Sequence, residues 1–229
     1  RDTPGFLLNR LLVPYLNESL ELLLVGVELA ALNRAALAFG MPVGPLAMLD
    51  QFGVDIALAV GRSLLQAYPD RVIPSELLIA VYKSGYRGAK SAAGFCVGTD
   101  QADKDSLNTA VARMVERRRR PASRVDKTDW ARRMFLPMFL EATRVVEENR
   151  FEGFDTIELI LREGLGLAAE SPGLGGWADD IGMSKLLDHS LQWQHLGKRF
   201  EPTTLLRQYV RTGVCLTTEL RSSECRKSA

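Results

Sequence analysis

Asn9 and Arg10 are the first residues whose types suggest chemistry. They stand together near the start of a long apolar stretch, Phe6-Leu7-Leu8-Asn9-Arg10-Leu11-Leu12-Val13-Pro14-Tyr15-Leu16-Asn17-Glu18. A carboxamide so placed can donate an N–H to an oxygen that gains negative charge, without changing its own protonation state. By residue type alone, the commoner use of such an Asn is to cap a helix, here one beginning near Arg10. A second group is Gly40-Met41-Pro42-Val43-Gly44-Pro45, whose glycines and prolines fix a tight irregular turn. It would present Met41, Pro42, Val43 and Pro45 as a rigid apolar lip, or serve as an ordinary helix-helix connector. The third is a Gly-rich basic loop from Lys83 to Phe95, where Lys83, Arg87 and Lys90 could approach phosphate groups. Its composition suits a structural turn closing a helical unit better.

Other chemistry is excluded by context. Gly164-Leu165-Gly166-Leu167-Ala168-Ala169 fits a dinucleotide-binding pattern, but helical periodicity and not a strand precedes it. His189 and His195 are six residues apart, so they cannot serve one metal from one helix face, and no metal site is expected. Cys96, Cys215 and Cys225 are odd in number and widely spaced, which suits free thiols. With 29 basic against 28 acidic residues, nothing general favours nucleic acid or an anionic membrane as partner. The Arg117–Arg120 run then reads as a solvated linker. The longest apolar candidate, Leu20 to Leu32, is broken by Glu21, Gly26 and Glu28, far short of the roughly 18 residues that span a bilayer.

The elements that position these groups are helices. Apolar residues at 8, 11, 12, 15, 16, 20, 23 and 24 follow i, i+3, i+4 spacing and predict a helix of about five turns from Phe6. Pro14 falls inside it and marks a kink or its first turn. Further helices are expected at 29–39, 46–52, 54–67, 75–84, 105–118, 128–149, 155–163, 183–196 and 202–211. The best β candidate, Phe95-Cys96-Val97, is short. Trp130, Trp177 and Trp193 are read as core or interface anchors.

The two halves look like copies. Pro14 and Glu18 match Pro137 and Glu141, both at an offset of 123 residues, which sets Arg132-Arg133 where Asn9-Arg10 stand. Asp50 and Gly53 match Asp179 and Gly182 at 129, and Leu77-Leu78 through Gly85 match Leu205-Leu206 through Gly213 at 128. The drift implies an insertion at Ala168–Gly173. The expected architecture is all-α, two tandem, apparently duplicated helical domains packed together: residues 1–98, a polar linker at 99–127, and a degenerate second copy at 128–229.

The Pro4-Gly5 turn leading into the Asn9-Arg10 helix, then G-x-P-x-G-P over Gly40–Pro45, Leu49-Asp50 and Gly53-Val54-Asp55, resembles the C-terminal helical domain of the 3-hydroxyacyl-CoA dehydrogenases. That domain has the fold of the 6-phosphogluconate dehydrogenase C-terminal domain. The second copy narrows the resemblance to the multifunctional enoyl-CoA hydratase/3-hydroxyacyl-CoA dehydrogenase α-subunits of fatty acid β-oxidation. The resemblance implies oxidation of an L-3-hydroxyacyl-CoA to the 3-ketoacyl-CoA with NAD, with Asn9 beside the substrate's C3 oxygen and the 40–45 loop on the acyl side. The Lys83–Phe95 loop departs from the family pattern, with Ser91 for Thr and Cys96 for Tyr. The chain starts at Arg1 without an initiator Met or leader, as though in mid-protein. The catalytic His, the NAD-binding domain and the hydratase domain are expected before it, so the isolated chain is expected to be inactive. Partners implied are the acyl-CoA, those missing domains, a thiolase subunit and further copies in an oligomer, in the cytoplasm or, for a eukaryotic source, in mitochondria or peroxisomes. The rival reading is a non-catalytic helical module for dimerisation or partner docking.

Overall fold

The computed structural model describes residues 4–69, 71–91, 93–97, 105–121, 129–148 and 153–217. Among the described residues it is built of helices: α1 (Pro4–Leu24), α2 (Leu29–Phe39), α3 (Pro45–Phe52), α4 (Val54–Ala67), α5 (Glu76–Lys83), α6 (Thr109–Arg117), α7 (Trp130–Glu147), α8 (Phe154–Leu165), α9 (Gly173–Ile181), α10 (Met183–Trp193) and α11 (Thr204–Thr212). Extended pairing among them is confined to two isolated antiparallel bridges, Gly88 with Ala93 and Cys96 with Leu107. None of these helices is long and apolar enough to cross a membrane.

The chain divides into two compact units, one of Arg1–Leu11, Phe39–Pro42 and Phe135–Ala229, the other of Leu12–Ala38 and Val43–Met134. The long helices α1 and α7 therefore each contribute to both. Each has an interior proline, Pro14 and Pro137, with no N–H to give to the carbonyl four residues back, that of Arg10 and of Arg133. The Leu12–Met134 unit closes over Leu20, Leu22, Leu32, Leu46, Leu49, Leu77 and Val81, all at most 1 % exposed. The other is aromatic at its centre: Phe39 stacks on Phe135 with centroids 4.2 Å apart, and Trp177 meets both rings edge-on.

Each unit repeats the same local devices. Asp50 in α3 accepts the N–H groups of Phe95 (2.8 Å) and Cys96 (2.9 Å); Asp179 in α9 accepts those of Leu216 (3.0 Å) and Thr217 (2.8 Å). Gly53 joins α3 to α4 at φ 97, ψ 129, and Gly182 joins α9 to α10 at φ 90, ψ 134, backbone geometry that disfavours any side chain. Ser75 caps α5 through the Leu77 N–H, and Thr203 caps α11 through the Leu206 N–H, each cap being worth about 1 kcal/mol.

Arg117, Arg119 and Arg120 at and beyond the end of α6 are exposed, with Arg118 reaching the Met114 carbonyl, Arg119 pairing with Glu116, and Arg120 pairing with Glu21 at 2.5 Å. Two expectations need correction. Helix α1 begins at Pro4, so Asn9 lies in its second turn and cannot be its cap. Helix α9 was not expected at all, because three of its first four residues are glycine, the poorest ordinary helix former. Cys225, the start of the Asp2–Phe6 turn and the ends of the expected linker fall outside the described residues.

Candidate active site

On α1 the buried positions Leu7, Arg10 and Leu11 share one face. At about 100° per residue, Asn9 points roughly 200° away from Leu7. Its carboxamide thus stands on the half-buried side of the helix. The neighbouring Arg10 points inward, 2 % exposed, and is held by acids of α7 and the residue that follows it. Its Nε donates to Glu141 at 2.5 Å, and its two terminal nitrogens grip Glu148 at 2.8 and 2.9 Å. Burial pulls the Arg10 pKa down, but the bonds and charges of Glu148 and Glu141 outweigh it and raise it overall, so this cation does not titrate. Glu141 also takes Arg144 at 3.2 Å, and Arg144 reaches the carbonyls of Lys198 (3.0 Å) and Glu201 (2.8 Å). The second turn of α1 is thereby pinned against rotation, and Asn9 with it. In the other unit Arg133 makes the corresponding bond to Glu18, Nε at 2.7 Å. Sequence reasoning aligned the arginines and glutamates but did not foresee that they pair, because the partners lie 131 and 115 residues apart.

In the 40–45 segment, Gly40 adopts φ +106 and its Cβ would run into Ser171. Met41 is only 2 % exposed and Pro45 is buried as the first residue of α3. Of the four expected lip residues, Pro42 is exposed and Val43 half-buried, so the apolar surface offered is narrower than the sequence implied. Asn9, Met41 and Pro42 belong to one unit; Val43 and Pro45 belong to the other. Gly44 is required because Asn33 Oδ1 fills the space a side chain would need, while Asn33 Nδ2 donates to Asp105 at 2.7 Å.

The Gly-rich loop is organised around Asp50. A Cβ at Gly88 would strike the Asp50 backbone, and one at Gly94 would strike its carboxylate. Burial raises the Asp50 pKa, while the N–H groups of Cys96 and Phe95 act to lower it. The loop's cations are mostly engaged: Arg87 donates to the Tyr82 carbonyl at 2.6 Å with its guanidinium 4.0 Å above the Tyr82 ring, and Lys90 pairs with Asp55 at 3.1 Å. Lys83 is exposed at the end of α5.

The remaining sequence patterns resolve structurally. Gly166 is the left-handed C-cap of α8, so Gly164–Ala169 ends a helix instead of opening one and does not fit a dinucleotide pyrophosphate. His189 stacks on Trp193 at 4.9 Å, and His195 sits 2.9 Å from the Gln192 carbonyl. Among the described residues no cluster of three His, Cys, Asp or Glu could hold a metal ion. Two further residues were not singled out by sequence. Glu158, 5 % exposed, accepts the Gly175 N–H at 2.5 Å and serves the N-terminus of α9, where Pro172 has no capping side chain. Its pKa is raised by burial, against the opposing effects of Gly175, Arg162 and Leu174. Ser171 is the other, and its hydroxyl donates to the Phe39 carbonyl.

Residues 5–97 match the family model described as 3-hydroxyacyl-CoA dehydrogenase, C-terminal domain. The fatty acid oxidation complex subunit alpha of Vibrio cholerae is 30% identical over 206 residues, covering 88% of this chain and 28% of that protein. The subunit of the same name from Pseudomonas putida is 28% identical over 220 residues, 93% of this chain and 30% of its own length. The chain thus spans less than a third of these curated relatives. Among solved structures, the dehydrogenase part of multifunctional enzyme 1 from C. elegans superposes with a TM-score of 0.67 at 20% identity, over 90% of this chain and 48% of that one. 3-Hydroxybutyryl-CoA dehydrogenase from Escherichia coli gives 0.64 at 22% identity, over 92% and 60%. These two likenesses carry the fold; the sequence match carries a similarity, over residues 5–97, to the 3-hydroxyacyl-CoA dehydrogenase C-terminal domain.

Proposed function

We propose that this chain is the helical C-terminal part of an NAD-dependent L-3-hydroxyacyl-CoA dehydrogenase of fatty acid β-oxidation. The observation that carries the reading is the match of residues 5–97 to that family, with the Asn-Arg pair in its matched helix. Asn9 donates its side-chain N–H to the C3 oxygen as the hydroxyl becomes a ketone, a contribution that is strongest where charge develops. The pinned turn around Arg10 supplies the orientation, so little reorganisation accompanies the reaction. Pro42, exposed beside the buried Met41 of its own unit, faces the acyl chain; Val43 and Pro45 are assigned the same acyl-side role within theirs. Of the loop cations, Lys83 is the one best placed to meet a CoA phosphate, with Arg87 and Lys90 contributing less because internal partners hold them.

The base and the nicotinamide are assigned to an NAD-binding domain outside this chain; Gly164–Ala169, which has the dinucleotide spacing, ends α8 and does not fit that role. An enoyl-CoA hydratase domain, a thiolase subunit and an oligomeric assembly in the cytoplasm complete the proposal, as does an inactive isolated chain. The parallel devices of the two units support an internal duplication in which the second copy is structural. Arg132 stands where Asn9 does in the first, and it is ion-paired with Asp129.

Asn9→Ala in the complete protein tests the reading. The expected outcome is a fall in kcat of about 10²-fold or more with L-3-hydroxyacyl-CoA, unchanged folding by circular dichroism, and little change in KM. A complete protein that oxidises the substrate equally well with alanine there removes Asn9 from the chemistry. A complete protein with no such activity leaves the docking module as the function.

A further inference from the structure

The proposed acyl-side lip is held by residues from far along the chain. Ser171 Oγ donates to the Phe39 carbonyl at 2.5 Å, and the Ala168 N–H donates to the Gly40 carbonyl at 2.9 Å. Ser171 is itself fixed: its oxygen accepts the Gly173 N–H at 3.2 Å, and its carbonyl takes Arg162 at 2.7 Å. Gly40 and Ser171 require each other's shape, because a Cβ at position 40 would collide with the serine's Cβ and Oγ. The Phe39 ring stacks on Phe135 and meets Trp177 edge-on. All these residues belong to the same unit as Asn9 and Pro42. Ala168–Gly173 is also the stretch where the sequence spacing between the two matched halves is expected to shift.

We propose that Ala168–Gly173 is a specificity-determining segment: by holding Phe39 and Gly40, it sets where Pro42, in the same unit, stands along the acyl chain. This rests on reading the chain as part of an L-3-hydroxyacyl-CoA dehydrogenase. The lip touches the chain and not the reacting C3 centre. Moving it changes how substrates of different length bind while leaving the step at Asn9 alone. Apolar pockets discriminate single methylenes by about tenfold or more, so a displacement of a fraction of a side chain is measurable.

The test is Ser171→Ala in the complete protein, with kcat and KM measured on short-, medium- and long-chain L-3-hydroxyacyl-CoA substrates. Ser190→Ala is the control: it removes an equally buried serine-to-carbonyl bond, to Phe200, in the same unit but away from the lip. Ser171→Ala is expected to shift the long-to-short ratio of kcat/KM by about fivefold or more, through KM, with kcat within about twofold. Ser190→Ala is expected to lower thermal stability and leave the ratio unchanged. If Ser171→Ala does not fold, Ser171→Cys keeps the size and weakens the bond, and it is expected to shift the ratio in the same direction. An active protein whose ratio is unmoved by these variants, or is moved equally by Ser190→Ala, overturns the inference alone. A complete protein without dehydrogenase activity overturns the underlying reading and the inference with it.

Discussion

Glu18→Ala strands a buried guanidinium. Glu18 is 0 % and Arg133 3 % exposed, and Nε and Nη2 of Arg133 approach the same carboxylate oxygen at 2.7 and 2.6 Å. Removing one member of such a pair leaves the other charged and desolvated, at a cost of about 3–5 kcal/mol. For a chain of this size each kcal/mol moves Tm by about 2–4 °C, so the expected loss is about 6–20 °C. Replacing both partners by apolar residues of similar bulk, as in Glu18→Leu with Arg133→Met, removes the charge along with its partner. Stability should then return to within about 1 kcal/mol of the wild type. Glu141→Ala in the other unit is expected to cost about half as much as Glu18→Ala, because Arg10 keeps its two bonds to Glu148. The assay for the Glu18 variants is urea unfolding followed by Trp130, which α7 places in the Leu12–Met134 unit, in a background carrying Trp177→Phe and Trp193→Phe; for Glu141→Ala the probe is Trp177, in a background carrying Trp130→Phe and Trp193→Phe. A single-tryptophan probe matters because two units need not unfold in one transition. A single mutant costing under about 1 kcal/mol, or a double mutant less stable than the single, would refute the reasoning.

Two further outcomes follow from geometry. Gly88→Ala and Gly85→Ala both place a side chain at positive φ, which costs about 1–3 kcal/mol, but only at Gly88 does the new Cβ meet the Asp50 backbone. Gly88→Ala should therefore be less stable than Gly85→Ala by a further 1–3 kcal/mol or so in chemical denaturation, and equal losses would reject the steric account. Glu158 has a folded pKa above its unfolded value, so its contribution is fully present below the ordinary glutamate range and is lost as pH rises through the folded value. Glu158→Gln cannot titrate, so relative to wild type it should gain stability between acidic and neutral pH; a difference that stays flat across unfolding curves at several pH values would contradict this.

Much of the fold could be read from the sequence because its helices carry their own signals. The apolar spacing found α2 and α4 to the residue, and Gly40 stood just past the end of α2, where only glycine suits the backbone. Helix α9 escaped because Gly173, Gly175 and Gly176 are there for close packing against Glu158, Leu216 and Pro172, a tertiary cause that no local propensity reports. The start of α1 was misplaced for a related reason: Pro4-Gly5 looks like a turn, yet proline is well suited to a first helical turn. At the candidate site, residue types were visible and partnerships were not. Arg87 and Lys90 read as free cations until Tyr82 and Asp55 were seen to hold them, and Met41 and Pro45 read as surface until their burial was known.

The proposed duplication gives a reason for the asymmetry between Asn9 and Arg132. Both first helices carry arginine and glutamate eight residues apart, Arg10 with Glu18 and Arg133 with Glu141, and each unit uses one residue of each pair to bury an ion pair. That device fixes the rotation of a helix turn, and on the proposed reading it is useful to chemistry only where the adjacent residue can donate to a substrate. Asn9 qualifies: its amide is neutral and stands on the half-buried side of a turn whose neighbour is locked by two carboxylates. Arg132 does not, because its charge is spent on Asp129 within its own turn. On the proposed duplication, a second copy loses the Asn while keeping the ion pair, since the pair stabilises the unit whether or not a substrate is present. On the same proposal Ala168–Gly173 has a use of its own: Ser171 and Ala168 satisfy the Phe39 and Gly40 carbonyls, and those carbonyls lead directly to Met41 and Pro42.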